Sequence, residues 1–184
     1  MNYWLTGGIA VVVIIVLWVI STHNKLVGLR NSVEDQWSQI DVQLKRRFDL
    51  IPNIVETVKG YATHEKETLE AVLRARNTFV TATTPEGEME AENQVSGALT
   101  RLFALSESYP GLKADAIFSD LQNQLKETEN KIAFARQFYN DTVLKYKNGI
   151  EVFPSSIVAR IFGFKPRSFF EVSLSERENV KVKF

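Results

Sequence analysis

The run Gly7-Gly8-Ile9-Ala10-Val11-Val12-Val13-Ile14-Ile15-Val16-Leu17-Trp18-Val19-Ile20 sets the architecture of this chain. No charged side chain precedes His23, and the centre of the run is almost purely aliphatic. Water solvates such a segment poorly. A helix rises about 1.5 Å per residue, so the roughly 30 Å hydrocarbon core of a bilayer takes about 20 apolar residues. Asn2 to Thr22 supplies a span of that order, and inside lipid a lone helix satisfies its own backbone groups where a strand could not. A cleaved secretory signal needs a basic leader and an Ala-x-Ala-like site. Met1-Asn2-Tyr3-Trp4 carries no Lys or Arg, and no small-residue pair follows the run. A permanent anchor over residues 1–24 is therefore expected. Tyr3 and Trp4 at one end and Trp18 near the other sit where interfacial rings belong. Gly7 and Gly8 allow close helix approach in lipid and are a candidate seam between anchors.

The flanks of the run give an orientation. Only the α-amino group is positive on the N-terminal side, whereas Lys25, Arg30 and Lys45-Arg46-Arg47 follow on the other. Positive residues stay in the cytoplasm, which favours the bulk of the chain there, at the bacterial cytoplasmic membrane, and the N-terminus outside.

Of 184 residues, roughly 160 lie beyond the anchor, enough for one ordinary domain. Basic and acidic residues balance at 22 each, so no overall field recruits nucleic acid, and no nucleic-acid partner is expected. Cysteine is absent, which removes disulfides, thiolate nucleophiles and Cys-based metal sites together. Five Pro and nine Gly fall at punctuation points between long uninterrupted segments, and the chain reads as helical.

Apolar residues recur at Leu26, Val33, Trp37, Ile40 and Leu44, then at Phe48, Ile51, Val55, Val58 and Ala62. Steps of three and four mark a helix with one buried face. No strong breaker separates this stripe from Ile20, so the anchor and the first soluble helix are expected to run nearly continuously. Pro52 lacks a backbone N–H and should kink the helix or restart it. Leu69, Val72, Leu73, Arg76 and Val80 continue a stripe after a break near Gly60 to Glu65. Thr81 to Glu90, with Pro85 and Gly87, reads as a loop. A third helix is expected from about Ala91, with Val95, Leu99, Leu102, Phe103 and Leu105 apolar, stopping at Tyr109-Pro110-Gly111. A heptad-like run follows: Phe118, Leu121, Leu125, Thr128, Ile132, Ala135, Tyr139, Thr142 and Tyr146, ending near Asn148-Gly149. Short connections favour antiparallel neighbours. The fold class is all-α: a transmembrane helix continuing into a long antiparallel four-helix-type bundle over residues 25–150. Residues 151–184 form a short amphipathic segment, Phe153-Pro154 through Phe164, and a tail closing on Val180-Lys181-Val182-Lys183-Phe184, with packing onto the bundle favoured over docking on a partner or on lipid.

Trp37-Ser38-Gln39-Ile40-Asp41-Val42-Gln43-Leu44-Lys45-Arg46-Arg47, Asp49-Leu50-Ile51-Pro52-Asn53-Ile54 through Tyr61, His64-Glu65 and Ala75-Arg76 together resemble the core of the bacterial LemA family. So do Glu107-Ser108-Tyr109-Pro110, Glu129 through Asn140, and Phe153-Pro154. Ile54, where the family often carries Leu, is a conservative departure. The resemblance runs from residue 1 to about residue 170. It implies a single-pass bacterial membrane protein with a helical-bundle domain, and it implies no known reaction. Members have been linked to membrane organisation, including a magnetosome-associated relative.

Catalytic constellations are sparse. His64-Glu65 begins like a zinc-protease helix, but position 68 is Thr where the second ligand must stand. A di-iron bundle needs Glu three residues before His, and Tyr61 stands there. No phosphate loop occurs. No enzyme activity, cofactor or metal is expected. Charged residues within the stripes are the candidate interaction and structural positions: Arg46 and Arg47 beside Phe48, Glu107, Glu129 and Arg136. Bidentate Arg–carboxylate pairing across an antiparallel bundle would fix register more than it adds stability. Trp37, Phe103, Phe118, Phe138 and Tyr139 read as core. The function expected is a membrane-anchored scaffold or adaptor, since tethering to a surface lets weak lateral contacts between copies build arrays. Its partners are the lipid bilayer, further copies of itself and unidentified membrane-associated proteins. The alternative is a subunit of an oligomeric pore or a transporter accessory, but an anchor with no polar residue between Gly8 and Ser21 lines a water path poorly.

Overall fold

The structure is a computed structural model that describes residues 3–171. Among the described residues six helices and no strand occur: α1 (Tyr3–Tyr61), α2 (Lys66–Thr81), α3 (Pro85–Ser106), α4 (Pro110–Lys113), α5 (Ala116–Glu151) and α6 (Ser155–Ile161). The chain is all-α, with a long apolar N-terminal helix and a packed helical bundle. It divides into two compact units. The closing Val180–Phe184 segment lies outside the described residues.

The first unit takes α1 as far as Trp37 and the chain from Gln137 to Phe169. The apolar run begins exposed on every side: Ile9, Val13 and Ile14 show 61%, 48% and 64% of their surface, though a soluble helix would bury one face. Burial starts at Leu26 and Val33 on α1 and includes Val143, Tyr146 and Ile150 on α5. Gly149 does not stop α5, which continues to Glu151. A Cβ on Gly149 would meet Leu26 Cδ2 and Leu29 Cδ1 at 3.1 Å each, so the missing side chain permits close approach of α5 to α1. Thr142, expected to face inward, is only half-buried, and Val143 takes the core position. Phe138, read as core, is exposed.

A short helix then closes this unit. Val158 and Ala159 bury the inner side of α6. Its end is a left-handed cap: Gly163 sits at φ 70°, its N–H donates to the Arg160 carbonyl at 3.3 Å, and the Phe164 N–H reaches the Ala159 carbonyl at 2.9 Å. Only glycine takes that conformation without strain. The chain beyond runs back along the unit, held by Tyr146 Oη donating to the Lys165 carbonyl at 2.9 Å and Tyr139 Oη to the Ser168 carbonyl at 3.0 Å. Arg167 pairs with Glu34 of α1 at 2.9 Å. The segment as far as Phe169 thus packs onto the helices.

The second unit is the bundle of Ser38–Arg136, joined by Phe170. Ile40, Leu44, Phe48, Ile51, Val55 and Val58 of α1 are buried in the three-four rhythm of the sequence. α2 returns antiparallel after a short turn, and the Phe48 and Phe79 rings stack with centroids 3.8 Å apart. Its buried stripe is Leu69, Val72, Ala75 and Phe79. The expected Leu73 and Val80 lie on the exposed side. α3 runs against α2, starting at Pro85 rather than near Ala91, because Pro85 occupies the first helical turn and Thr84 caps it, its hydroxyl accepting from the Gly87 N–H at 3.1 Å. α3 ends at Ser106, and Pro110 opens α4 instead of closing α3. α5 is antiparallel to α1 here, since Tyr61 meets Asp115 and Arg47 meets Glu129.

α1 does not restart at Pro52, which lies inside the helix. Proline leaves the carbonyl four residues back, that of Phe48, without its helical donor. Arg76 of α2 supplies one, Nε donating to the Phe48 carbonyl at 3.2 Å.

Candidate functional site

The chemistry of the bundle concentrates where α1, α3 and α5 meet. Arg47 interrupts the apolar face between Leu44 and Phe48 and is 2% exposed. A guanidinium withdrawn this far from water needs a carboxylate. Its Nη1 bonds Glu92 Oε1 of α3, which is 1% exposed. The same nitrogen donates to Ser96 Oγ at 3.1 Å, and the Ser96 hydroxyl donates onward to Glu92 Oε1 at 3.1 Å. Nη2 lies 3.6 Å from Glu129 of α5, a carboxylate half in water. One arginine therefore ties three helices through a closed ring of polar atoms. Arg47 Nε and Glu92 Oε2 find no hydrogen-bond partner among the described residues.

Burial pushes the Glu92 carboxyl above its ordinary value. Arg47, Ser96 and the charge of Arg136 pull the other way, and Glu129 reinforces the rise. Arg136 also covers the Phe170 ring, its guanidinium carbon 4.3 Å from the centroid. Where α3 begins, Asp41, Lys45, Asp49, Arg76 and Glu88 surround an open cleft of about 330 Å³ floored by Phe48 and Phe79. Burial raises the Glu88 carboxyl, and neighbouring Asp41 adds to it. Lys45 pairs with Asp41 at 2.7 Å.

The loop end of the bundle is pinned by tyrosines. Tyr61 Oη donates to Asp115 Oδ2 at 2.8 Å, while Asp115 Oδ1 accepts the Phe118 N–H at 2.8 Å and so caps α5. The Phe118 bond, then that of Tyr61, holds the Asp115 carboxyl below the ordinary value of 3.8. Tyr109 Oη donates to Glu65 at 3.1 Å, so the carboxylate beside His64 serves a turn. Among the described residues no group of three or more His, Asp or Glu is placed to hold a metal ion.

The predicted residues divide. Arg47 and Glu129 come together, and the charge of Arg136 acts with that of Arg47 on the Glu92 carboxyl. Glu107 does not join them: it pairs with Lys113 at 2.6 Å on the surface, because α3 ends there and turns into α4. Arg46 points to solvent one residue out of the buried phase. Gly7 and Gly8 are exposed with open space around each Cα. Glu92, the strongest partner of Arg47, was missed. Its signal was present, since Met89, Glu92, Val95 and Leu99 keep helical spacing once α3 is started at Pro85.

Among the described residues one helix, α1, is long and apolar enough to cross a membrane, and its apolar stretch is not buried within the protein. Helical bundles with such a helix form a class of candidate single-span membrane proteins. The pattern of the LemA family matches residues 36–184, and the chain belongs to that family. It is similar to Protein LemA of Metamycoplasma hominis, 26% identical over 165 residues, covering 88% of this chain and 74% of that protein. It is also similar to the magnetosome proteins MamQ 2 and MamQ 1 of Paramagnetospirillum magneticum, each 24% identical over 186 residues, covering 87% of this chain and 68% of theirs.

Proposed function

We propose that this chain is a non-catalytic scaffold of the bacterial cytoplasmic membrane, which spans the bilayer once through the start of α1, associates with further copies of itself and holds partner proteins at the surface. The observation that carries the reading is the contrast along α1. Residues from Ile9 to Ile20 are apolar on every side and, Val19 apart, exposed, whereas the same helix farther on buries a single stripe. The first pattern suits lipid and the second suits a bundle in water. Inside the bundle the buried charges engage one another, which supports a structural use for them. Two relatives carry the name magnetosome protein, in keeping with a part in an assembled structure. The N-terminus lies outside and the bundle in the cytoplasm, as the basic residues after His23 favour.

The test is fractionation of the full-length protein followed by sizing of the native membrane extract. The protein should stay with membranes through an alkaline carbonate wash and elute in detergent as a particle much larger than one chain in its micelle. Release by carbonate removes the membrane reading. A single-chain particle removes self-association, and anchors enclosing a hydrated lumen would favour a pore.

A further inference from the structure

The surface around α6 carries a ridge of large apolar side chains that stay exposed among the described residues. Phe153 is 76% exposed, Ile161 72%, Val152 57%, Phe162 52% and Ile157 48%. Phe153, Ile157 and Ile161 follow one another at four-residue steps, while Val158 and Ala159 face inward. α6 is therefore two-sided, with an apolar outer side that water solvates badly.

The position of this ridge says what covers it. Phe162 packs edge-on against His23, ring centroids 4.6 Å apart, and Phe164 reaches the same ring at 5.6 Å. His23 lies three residues past Ile20, roughly 4–5 Å along the helix axis. The Arg30 guanidinium stands 5.8 Å over the Phe164 ring, and Gly149 abuts Leu26 and Leu29. The chain around α6 is thus held beside α1 at the level where the apolar run gives way to polar residues. Exposed Lys25, two residues past His23, and exposed Arg160 and Lys165, flanking Ile161 and Phe164 in sequence, put cations close by along the chain, with exposed Glu151 two residues before Phe153. Apolar side chains fringed by cations suit the headgroup boundary of an anionic bilayer, where lysine and arginine reach the phosphates while rings and aliphatic chains enter the acyl layer.

We propose that the Phe153–Phe162 ridge dips into the same membrane leaflet that α1 leaves, giving the first unit a second, shallow lipid contact beside its span. The inference rests on the reading of the α1 run as a membrane span. A single span alone leaves a protein free to rotate about it and tilt. A second contact beside it fixes one face of the first unit toward the bilayer.

The chain has no cysteine, so single substitutions give unique attachment points for an environment-sensitive fluorophore. Phe153→Cys, Ile161→Cys, Val12→Cys and Gln39→Cys are all at exposed positions. Each full-length variant is labelled and reconstituted in vesicles of equal parts phosphatidylcholine and phosphatidylglycerol, with lipids brominated near the headgroup or near the chain end. Labels at 153 and 161 should be quenched several-fold more than the label at 39, and most by bromines near the headgroup. The label at 12 should respond most to bromines near the chain end. If 12 is quenched while 153 and 161 match 39, the ridge has no lipid contact although the span stands, and water, a second copy or another protein covers it. If 12 also matches 39, the span reading fails and this one falls with it.

Discussion

Arg76 Nε donates to the carbonyl of Phe48 across 3.2 Å, four residues before Pro52, so a side chain of α2 replaces the backbone donor that α1 lacks. A proline costs an interior helix one bond and a steric clash with the carbonyl four residues back. The cost is lowered when a partner occupies that carbonyl, and the partner here also docks α2. Arg76→Met keeps the apolar stem and removes the donor, and it is expected to destabilise the bundle by about 1–3 kcal/mol, the range for orphaning a part-buried polar group. With Pro52→Ala the backbone donor returns, so the same Arg76 substitution should cost less in that background. Urea unfolding of the four proteins of this cycle in detergent micelles, followed by circular dichroism, measures the coupling. Equal losses in both backgrounds would show that Arg76 acts independently of the proline.

Arg47 and Arg46 are adjacent in sequence and opposite in consequence. Arg47 is buried on Glu92 and Arg46 faces water. Removing one partner of a buried pair leaves the other charge stranded, at about 3–5 kcal/mol, whereas replacing both with apolar side chains is often neutral. Arg47→Met should therefore be severe, Arg47→Met with Glu92→Leu should recover most of the loss, and Arg46→Ala should leave the unfolding midpoint in place. The pH dependence has a definite sign. Burial already raises the Glu92 carboxyl, and loss of Arg47 raises it further. A carboxyl raised in the folded state favours folding below its unfolded value, and that contribution is lost as pH rises through the folded value. Acidification toward the ordinary carboxylate range should thus restore stability to Arg47→Met, a trend that urea midpoints across pH would reveal or refute.

Helical period was readable from this sequence because it is local, and the identity of contacts was not. Ile40, Leu44, Phe48, Ile51, Val55 and Val58 all proved buried. In α2 the sequence favours a stripe through Leu73 and Val80, because Ala75 is small and Val80 has the character of core, but the buried positions are Ala75 and Phe79. Pro85 and Gly149 carry the residue types of breakers, although one opens a helix and the other lets two helices touch. Periodicity says which side of a helix is inside and is silent on its partner. Hence Arg47 and Glu129 are legible as candidates for Arg–carboxylate pairing, while Glu92, 45 residues from Arg47, is assigned only once α3 is in place.

Asp115 should give the opposite pH sign from Glu92. Its carboxyl is held below 3.8, first by the Phe118 N–H and then by Tyr61. A lowered carboxyl contributes stability that is present above its unfolded value and is lost as pH falls through the folded one. Asp115→Asn keeps an effective cap but removes the charge, so it should preserve the first turn of α5 and flatten the acid limb of the stability profile. Asp115→Ala should lose both. Amide hydrogen exchange at Phe118, read across pH for the three proteins, separates the cap from the charge.

The orientation can be tested at a position chosen from the fold. Lys126 is exposed on α5, and Lys126→Cys introduces the chain's single thiol. With the bundle in the cytoplasm, an impermeant maleimide should leave intact cells unlabelled and modify the protein after lysis. Labelling in intact cells would put the bundle outside. A thiol at Ser96 is a poorer probe, since that side chain lies within the Arg47–Glu92 ring and slow labelling there would reflect burial.

Gly149 tests how closely α1 and α5 approach in the first unit. An added Cβ would lie 3.1 Å from two leucine methyl groups, at the flexible ends of Leu26 and Leu29. Gly149→Ala gains helix propensity, at most about 1 kcal/mol since α5 ends two residues on at Glu151, while the two leucines must each yield by a few tenths of an ångström, so the two effects should nearly cancel. Gly149→Val has lower propensity and adds two more carbons at the same contact, which must push the helices apart. A loss of about 1–3 kcal/mol is expected, the usual cost of overpacking. The larger effect should be local: exchange at amides near Leu26 should quicken while those near Leu99 keep their protection. Uniform loosening at both places would mean that α5 responds as a whole, and unchanged exchange at Leu26 would mean that the two helices have room between them.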